Sequence, residues 1–353
     1  MKRIDGRAAF KKILLLLFAT LLPLLVTELI LRLAAPVYPI GTLRAYEYDP
    51  EMGFRPRPAQ HYYKMTDHQE ELKVNQHGAI NFQENFEGYK TLVFAVGDSY
   101  TQGTGVPADM SYPFQLDLIL NQDERGFYRK QFGVVNLGLG AIGGEQKLIR
   151  LRHGIASYGP PAVILYLGCD NDQEEDVLFK SGYMHRHMVA GSPRWKWAVG
   201  PLQWLTEDFQ VGLRAKMALA TLRRQRALQA AQQQPVQPGG PASIPARSPS
   251  VAELQAPVLE KLIAHSKESG AVLVVSWVGT RESYDWLRGW AGAKGIAFAD
   301  WWPKVDSVLA AVPALPLEND HSGGHYRGWV NRLMAEEFAR QIRRPDRPLT
   351  IVP

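Results

Sequence analysis

Short apolar runs alternate along this chain with longer segments in which apolar residues return every three or four positions. The runs Leu92–Val96, Val134–Leu137, Ala162–Leu167, Ala271–Val278 and Ile296–Ala299 are rich in Val, Ile, Leu and Phe. Continuous runs of that kind predict strands buried on both faces. Periodic patterns near 112–121, 144–155, 251–268, 281–292 and 326–343 predict helices between and after them. The alternation predicts a three-layer α/β/α domain over 91–345, with a central parallel sheet of about five strands.

The first segment follows another rule. Residues 13–35 are almost wholly apolar, interrupted by Pro23, Glu28 and Arg32. As a helix, such a stretch spans roughly 34 Å, enough to cross a bilayer. Glu28 and Arg32, four apart, share a helix face and can pair near its outer end. Of the net charge of +5, residues 1–12 contribute Lys2, Arg3, Arg7, Lys11 and Lys12 against Asp5, hence +4. That basic flank predicts a cytoplasmic N-terminus and an exported remainder. No small-x-small cleavage site precedes Pro36, so an uncleaved anchor is expected rather than a signal peptide.

Residues 36–90 show little periodicity and are expected to wrap the domain or to form a stalk. An insertion over 178–250 breaks the alternation between the third and fourth strands. It holds Trp195, Trp197, Trp204 and Phe209 among basic residues, then an amphipathic helix to about Ala231. The tract 232–250 is rich in Pro, Gly, Gln, Ala and Ser and is expected to be a flexible loop. Beyond its first twelve residues the chain is nearly neutral, which excludes a nucleic-acid footprint. Its one cysteine, Cys169, excludes an intrachain disulfide.

Candidate chemistry sits where the predicted strands end. Gly97-Asp98-Ser99-Tyr100 follows the first strand and puts a serine hydroxyl at the carboxyl edge of the sheet, where open α/β folds keep their ligands. A nucleophilic serine needs a base, and the base needs a partner that fixes its tautomer. The segment from Glu318 to Tyr326 offers both kinds, with Asp320, His321 and His325 just before the last helix.

Gly97-Asp98-Ser99-Tyr100-Thr101-Gln102-Gly103 resembles the first block of the SGNH (GDSL-type) hydrolases. The segment from Val134 to Ala141 is similar to that family's second block, Gly168-Cys169-Asp170-Asn171-Asp172 to its third, and the Asp320–His325 loop to its last. The four blocks stand in the family's order over about 91–343. The resemblance implies an esterase in which Ser99 attacks an acyl ester, foremost an O-acetyl ester, with His325 as base and Asp320 as acid. It also implies an oxyanion held by the backbone N–H of Ser99, a second-block N–H and an asparagine side chain. No cofactor and no metal are implied.

Several positions depart from the family's pattern. The third block has an extra residue, so Asp170 and Asn171 compete; an ionised carboxylate cannot donate, which selects Asn171. In the second block Gly140 and Ala141 compete, and Gly140 is taken. Counting back from the last helix selects His325, but its acid then lies five residues earlier, at Asp320. Glu318 with His321 is the rival pair.

Gly138-Leu139-Gly140-Ala141-Ile142-Gly143 also matches the dinucleotide fingerprint. That fingerprint needs an acidic residue about 20 positions on, and none stands between Glu145 and Asp170. Gln173-Glu174-Glu175-Asp176 reads as a solvated helix start. The sequence thus predicts a membrane-anchored, exported serine esterase. An O-acyltransferase for a cell-surface glycan and an inactive glycan-binding module are the alternatives.

Overall fold

The computed structural model describes residues 6–34, 46–65, 69–81, 83–182, 250–320 and 324–344, with helical positions scattered from 210 to 229. Trp195, Trp197, Trp204 and the tract 232–249 lie outside the described residues. The chain forms two units, Met1–Thr42 with Ala190–Arg226, and Leu43–Val189 with Ala227–Pro353.

The smaller unit is built on helix α1 (Gly6–Ala34). Its stretch Phe10–Ala34 contains an 18-residue window of mean hydropathy 2.5 and is long and apolar enough to span a membrane. Glu28, the acid in that stretch, accepts from Arg32 Nε at 2.6 Å and from the backbone N–H groups of Gln210 and Val211 at 2.9 and 3.0 Å. Those two N–H groups stand at the first positions of a helical stretch, where a carboxylate is the expected companion.

The larger unit opens with two antiparallel ladders where the sequence shows little periodicity. Strand β1 (Tyr46–Glu47) pairs with β2 (Arg55–Pro56), and β3 (Gln60–Met65) with β4 (Gln69–Val74). Tyr46, Met52 and Phe54 are buried in a small cluster with Leu139, Ile142 and Leu178. This segment therefore packs beneath the glycine loop after the second strand of the main sheet.

That sheet has five parallel strands: β5 (Thr91–Val96), β6 (Phe132–Asn136), β7 (Val163–Cys169), β8 (Val272–Val278) and β9 (Ala297–Phe298), in the order β6-β5-β7-β8-β9. Every residue of β7 is buried, as a central strand covered on both faces requires. The first crossover carries α2 (Ser99–Gln102) and α3 (Tyr112–Asn121), the second α4 (Gly144–Tyr158). They move in opposite directions along the sheet, and since each such crossover is right-handed they lie on opposite faces. α5 (Asp172–Lys180), α6 (Val251–Leu254) and α7 (Ala256–Ser269) lie between β7 and β8, and α8 (Arg281–Ala293) between β8 and β9. α9 (Trp302–Ala311) and α10 (Gly328–Ile342) close the chain, with α10 packed on α3 and α7 on α4.

The five strands fall within about two residues of the predicted runs at most ends, and the helices on the predicted patterns. α9 is additional: it starts at Trp302-Pro303, where proline is tolerated because a first-turn N–H has no helical partner. The acidic start of α5 is not solvated. Glu175 and Asp176 are buried, and Asp176 accepts from the Glu145 N–H at 2.9 Å and Gln255 Nε2 at 2.9 Å. Burial pushes the Asp176 carboxyl up.

Gly168, near the end of β7, faces the Trp277 ring of β8, and a Cβ there would lie 2.2 Å from a ring carbon. Gly168→Ala is expected to cost about 1–3 kcal/mol by overpacking, read as a lower thermal unfolding midpoint. An unchanged midpoint would contradict that packing.

Candidate functional site

The crossovers from β5 and β6 part between β5 and β7, so the carboxyl ends of those two strands border a crevice. β5 ends in Gly97 and Asp98, and Ser99 is the first residue of α2. Asp98 caps that turn, its Oδ1 accepting the Tyr100 N–H at 3.0 Å. Gly103 ends the turn in the left-handed region at φ 92°, its N–H bonded to the Ser99 carbonyl. The glycine loop after β6 presses on this turn. A Cβ at Gly138 would lie 2.3 Å from the Gln102 backbone nitrogen, so only glycine permits the approach.

The loop before α10 brings His325 to the serine, with Nε2 at 2.7 Å from Ser99 Oγ. With Nε2 unprotonated, the Ser99 hydroxyl donates to it. The Asn319 N–H holds the His325 carbonyl at 2.8 Å, and Glu318 and Tyr326 form an antiparallel bridge across the loop. Tyr100 lies against the imidazole with ring centroids 4.8 Å apart, and its hydroxyl donates to the Gly324 carbonyl at 3.1 Å. Burial pushes the Tyr100 phenol well above its ordinary value, so it stays a neutral donor. Asn331 of α10 ties the loop to the neighbouring helix. Its Oδ1 accepts the Tyr112 N–H at 3.1 Å and its Nδ2 donates to the carbonyls of Tyr326 and Arg327, each at 3.2 Å.

Asp320 is placed elsewhere. Its side chain is 73% exposed, and both carboxylate oxygens lie 3.2 Å from Arg327 Nη2. Arg327 Nε donates to the Glu318 carbonyl at 2.8 Å, and the Glu318 side chain is exposed. His321, of the rival pair, lies outside the described residues.

The three expected oxyanion donors border the same crevice. Gly140 lies against Ser99, since a Cβ built on it would come within 3.5 Å of Ser99 Cβ. Its N–H donates to Gln102 Oε1 at 2.6 Å. Ala141, the competitor, has a left-handed backbone at φ 61°. Asn171 stands just before α5, and its Oδ1 is buried without a hydrogen-bond partner. Asp170 is committed to the end of β8, accepting from Trp277 Nε1 at 2.7 Å and from the Thr280 N–H at 2.5 Å. Of the two third-block candidates, Asn171 is the one whose side chain is not spent on the scaffold.

A buried charge cluster beneath the crevice escaped the sequence reading. Lys147 of α4, Asp98 and Asp172 are all fully buried. Lys147 Nζ lies 2.6 and 2.9 Å from the Asp172 oxygens, 3.1 Å from the Leu167 carbonyl and 3.7 Å from Asp98 Oδ2. Burial alone would pull the ammonium down, but Asp172 and Asp98 hold it above its ordinary value. Burial pushes the Asp172 carboxyl up against the pull of Lys147. Positions 147, 151 and 154 follow helical spacing on the buried face of α4, so a lysine at a core position was the available signal. No group of three or more His, Cys, Asp or Glu able to hold a metal occurs among the described residues.

No protein-family model and no curated protein matches the chain. Among solved structures it is similar to a putative lipolytic protein of the G-D-S-L family from Desulfitobacterium hafniense DCB-2, at 16% identity over 71% of this chain and 99% of that one, TM-score 0.36. A member of the lipolytic protein G-D-S-L family from Veillonella parvula DSM 2008 matches at 12% identity over 70% and 96%, TM-score 0.39. LAE5, an alpha/beta hydrolase enzyme from the metagenome of Lake Arreo, Spain, matches at 12% identity over 72% and 96%, TM-score 0.39. Likeness of this size leaves the chemistry of this chain to its own geometry.

Asn331→Leu would keep the size of the side chain but leave the buried Tyr112 N–H without its acceptor, while the Tyr326 carbonyl keeps Asn319 Nδ2 at 3.2 Å. A cost of roughly 1–3 kcal/mol for that orphaned group predicts a drop in the thermal midpoint. A variant as stable as the wild type would show that Asn331 does not hold the His325 loop.

Proposed function

We propose that this chain is a serine hydrolase of acyl esters, held at a membrane by α1 with its α/β unit exported. The observation that carries the reading is the 2.7 Å contact between Ser99 Oγ and His325 Nε2 at the sheet's carboxyl edge. In the proposed reaction His325 Nε2 takes the hydroxyl proton as Ser99 Oγ attacks the ester carbonyl. The resulting imidazolium returns that proton to the departing alcohol and leaves an acyl group on Ser99. Water then attacks the acyl-enzyme with His325 again as base.

The tetrahedral oxyanion would be met by the N–H groups of Ser99 and Gly140 and by the Asn171 amide. Gly140 must first exchange Gln102 Oε1 for the substrate oxygen. A neutral hydrogen bond is worth about 1 kcal/mol net, whereas an oxyanion donor contributes about 3 kcal/mol to the transition state, so the exchange favours reaction. Asp320 is exposed and engaged by Arg327, and we take the Ser99–His325 pair as the working unit. The apolar stretch of α1 and its basic flank support the anchor and its orientation.

Hydrolysis of 4-nitrophenyl acetate by the full chain in detergent tests the reading. Ser99→Ala and His325→Ala are each expected to lower kcat by a factor on the order of 10⁴ or more, and Asp320→Ala by less than about tenfold. Wild-type protein without turnover, or a Ser99→Ala variant that keeps it, would overturn the proposal.

A further inference from the structure

We infer that Lys147 is the positioning residue of the catalytic centre, one buried ammonium that clamps together the segments bearing Ser99, Gly140 and Asn171. The catalytic part of this inference rests on the serine-hydrolase reading, and the clamp itself does not.

The connections are all to named atoms. Lys147 is the fourth residue of α4, the helix that begins directly after the glycine loop bearing Gly140. Its ammonium has three protons to give. The nearest acceptors are the two Asp172 oxygens and the Leu167 carbonyl of β7. Asp172 follows Asn171 and also accepts the Cys169 N–H at 3.2 Å, so its carboxylate fixes the turn on which Asn171 stands. On the other side the ammonium faces Asp98 Oδ2, an oxygen with no hydrogen-bond partner, at 3.7 Å. Asp98 caps the Ser99 turn with its other oxygen. One cation thus touches the block after β5, β7 itself and the block after it, from the helix that continues the block after β6.

Burial makes this arrangement demanding. All three side chains are out of water, so neither carboxylate can be satisfied by solvent when the ammonium is removed. Two buried carboxyls would then be left beneath the crevice without their shared donor, and the loops above them are the segments with freedom to part. The core strands are held by their own ladders. Loss of Lys147 should therefore appear first in the two loops and in the rate of the chemical step, which depends on sub-ångström placement. Binding of a small ester, which needs no such placement, should change little.

Hydrogen exchange and kinetics on the full chain in detergent test this. In Lys147→Met, amides of residues 97–103 and 169–175 are expected to exchange about tenfold faster or more, with those of α7 and α10 unchanged. For 4-nitrophenyl acetate, kcat should fall about thirtyfold or more while KM moves less than about threefold. Unchanged exchange in the two loops, or equal loosening across the whole unit, overturns the clamp; so does a kcat that stays at the wild-type value. Should Lys147→Met fail to fold, Asp172→Asn keeps the volume and an acceptor for Lys147. It should loosen both loops with a smaller loss of kcat, and wild-type exchange there overturns the clamp. Wild-type protein with no turnover ends the hydrolase reading alone, and the exchange data then decide the clamp.

Discussion

The two crossovers that leave β5 and β6 travel in opposite directions, and the crevice they open at the carboxyl ends of β5 and β7 is the constraint on which this site depends. A parallel sheet must return its chain across one face or the other, and only at the reversal do two strand ends stand side by side without a helix between them. Ser99 follows the first of those strands and Asn171 the second. The glycine loop after β6 then has to pass against the Ser99 turn, which is why Gly138 has no room for a side chain. The last loop reaches the same edge because α10 packs on α3 and Asn331 bonds across that contact.

Around this crevice the polar groups divide by what they hold. Asp98, Asp172, Asp176 and Asp170 are spent on backbone N–H groups, on Lys147, on Gln255 and on Trp277, and so shape the loops. Ser99 and His325 spend a hydrogen bond on each other. Gly140 gives its N–H to Gln102, an acceptor that a substrate oxygen can replace. Such a division places fixed dipoles under a few exchangeable ones, which is how preorganised sites lower the cost of charge development.

Much of this was legible in the sequence. The five strands could be read because a strand buried on both faces is a continuous apolar run, and Ser99 because Gly-Asp-Ser ends the first of them. Counting back from the last helix selects His325, and its Nε2 lies 2.7 Å from Ser99 Oγ, while His321 lies outside the described residues. A carboxylate cannot donate, which selects Asn171 over Asp170, and in the fold Asp170 is bound to Trp277 and Thr280. What the sequence concealed depends on contacts between distant residues. The ladders over 46–74 carry no clean alternation, and the buried state of Asp176 depends on Glu145 of α4 and on Gln255 between α6 and α7. Lys147 stands at a core position of the α4 pattern, but its partners Asp98 and Asp172, 49 positions before it and 25 after it, meet its ammonium only in the fold. The Arg327 partner of Asp320 was likewise invisible, because nothing in the spacing says which charge a loop carboxylate will face.

The measurement that bears most directly on the nucleophile is the site of covalent capture by a fluorophosphonate in the full chain, mapped by mass spectrometry. A hydroxyl activated by His325 predicts one adduct, on Ser99, that is lost in His325→Ala. Absence of an adduct on Ser99, or an adduct that forms equally well without His325, would contradict the pairing on which the proposed chemistry rests.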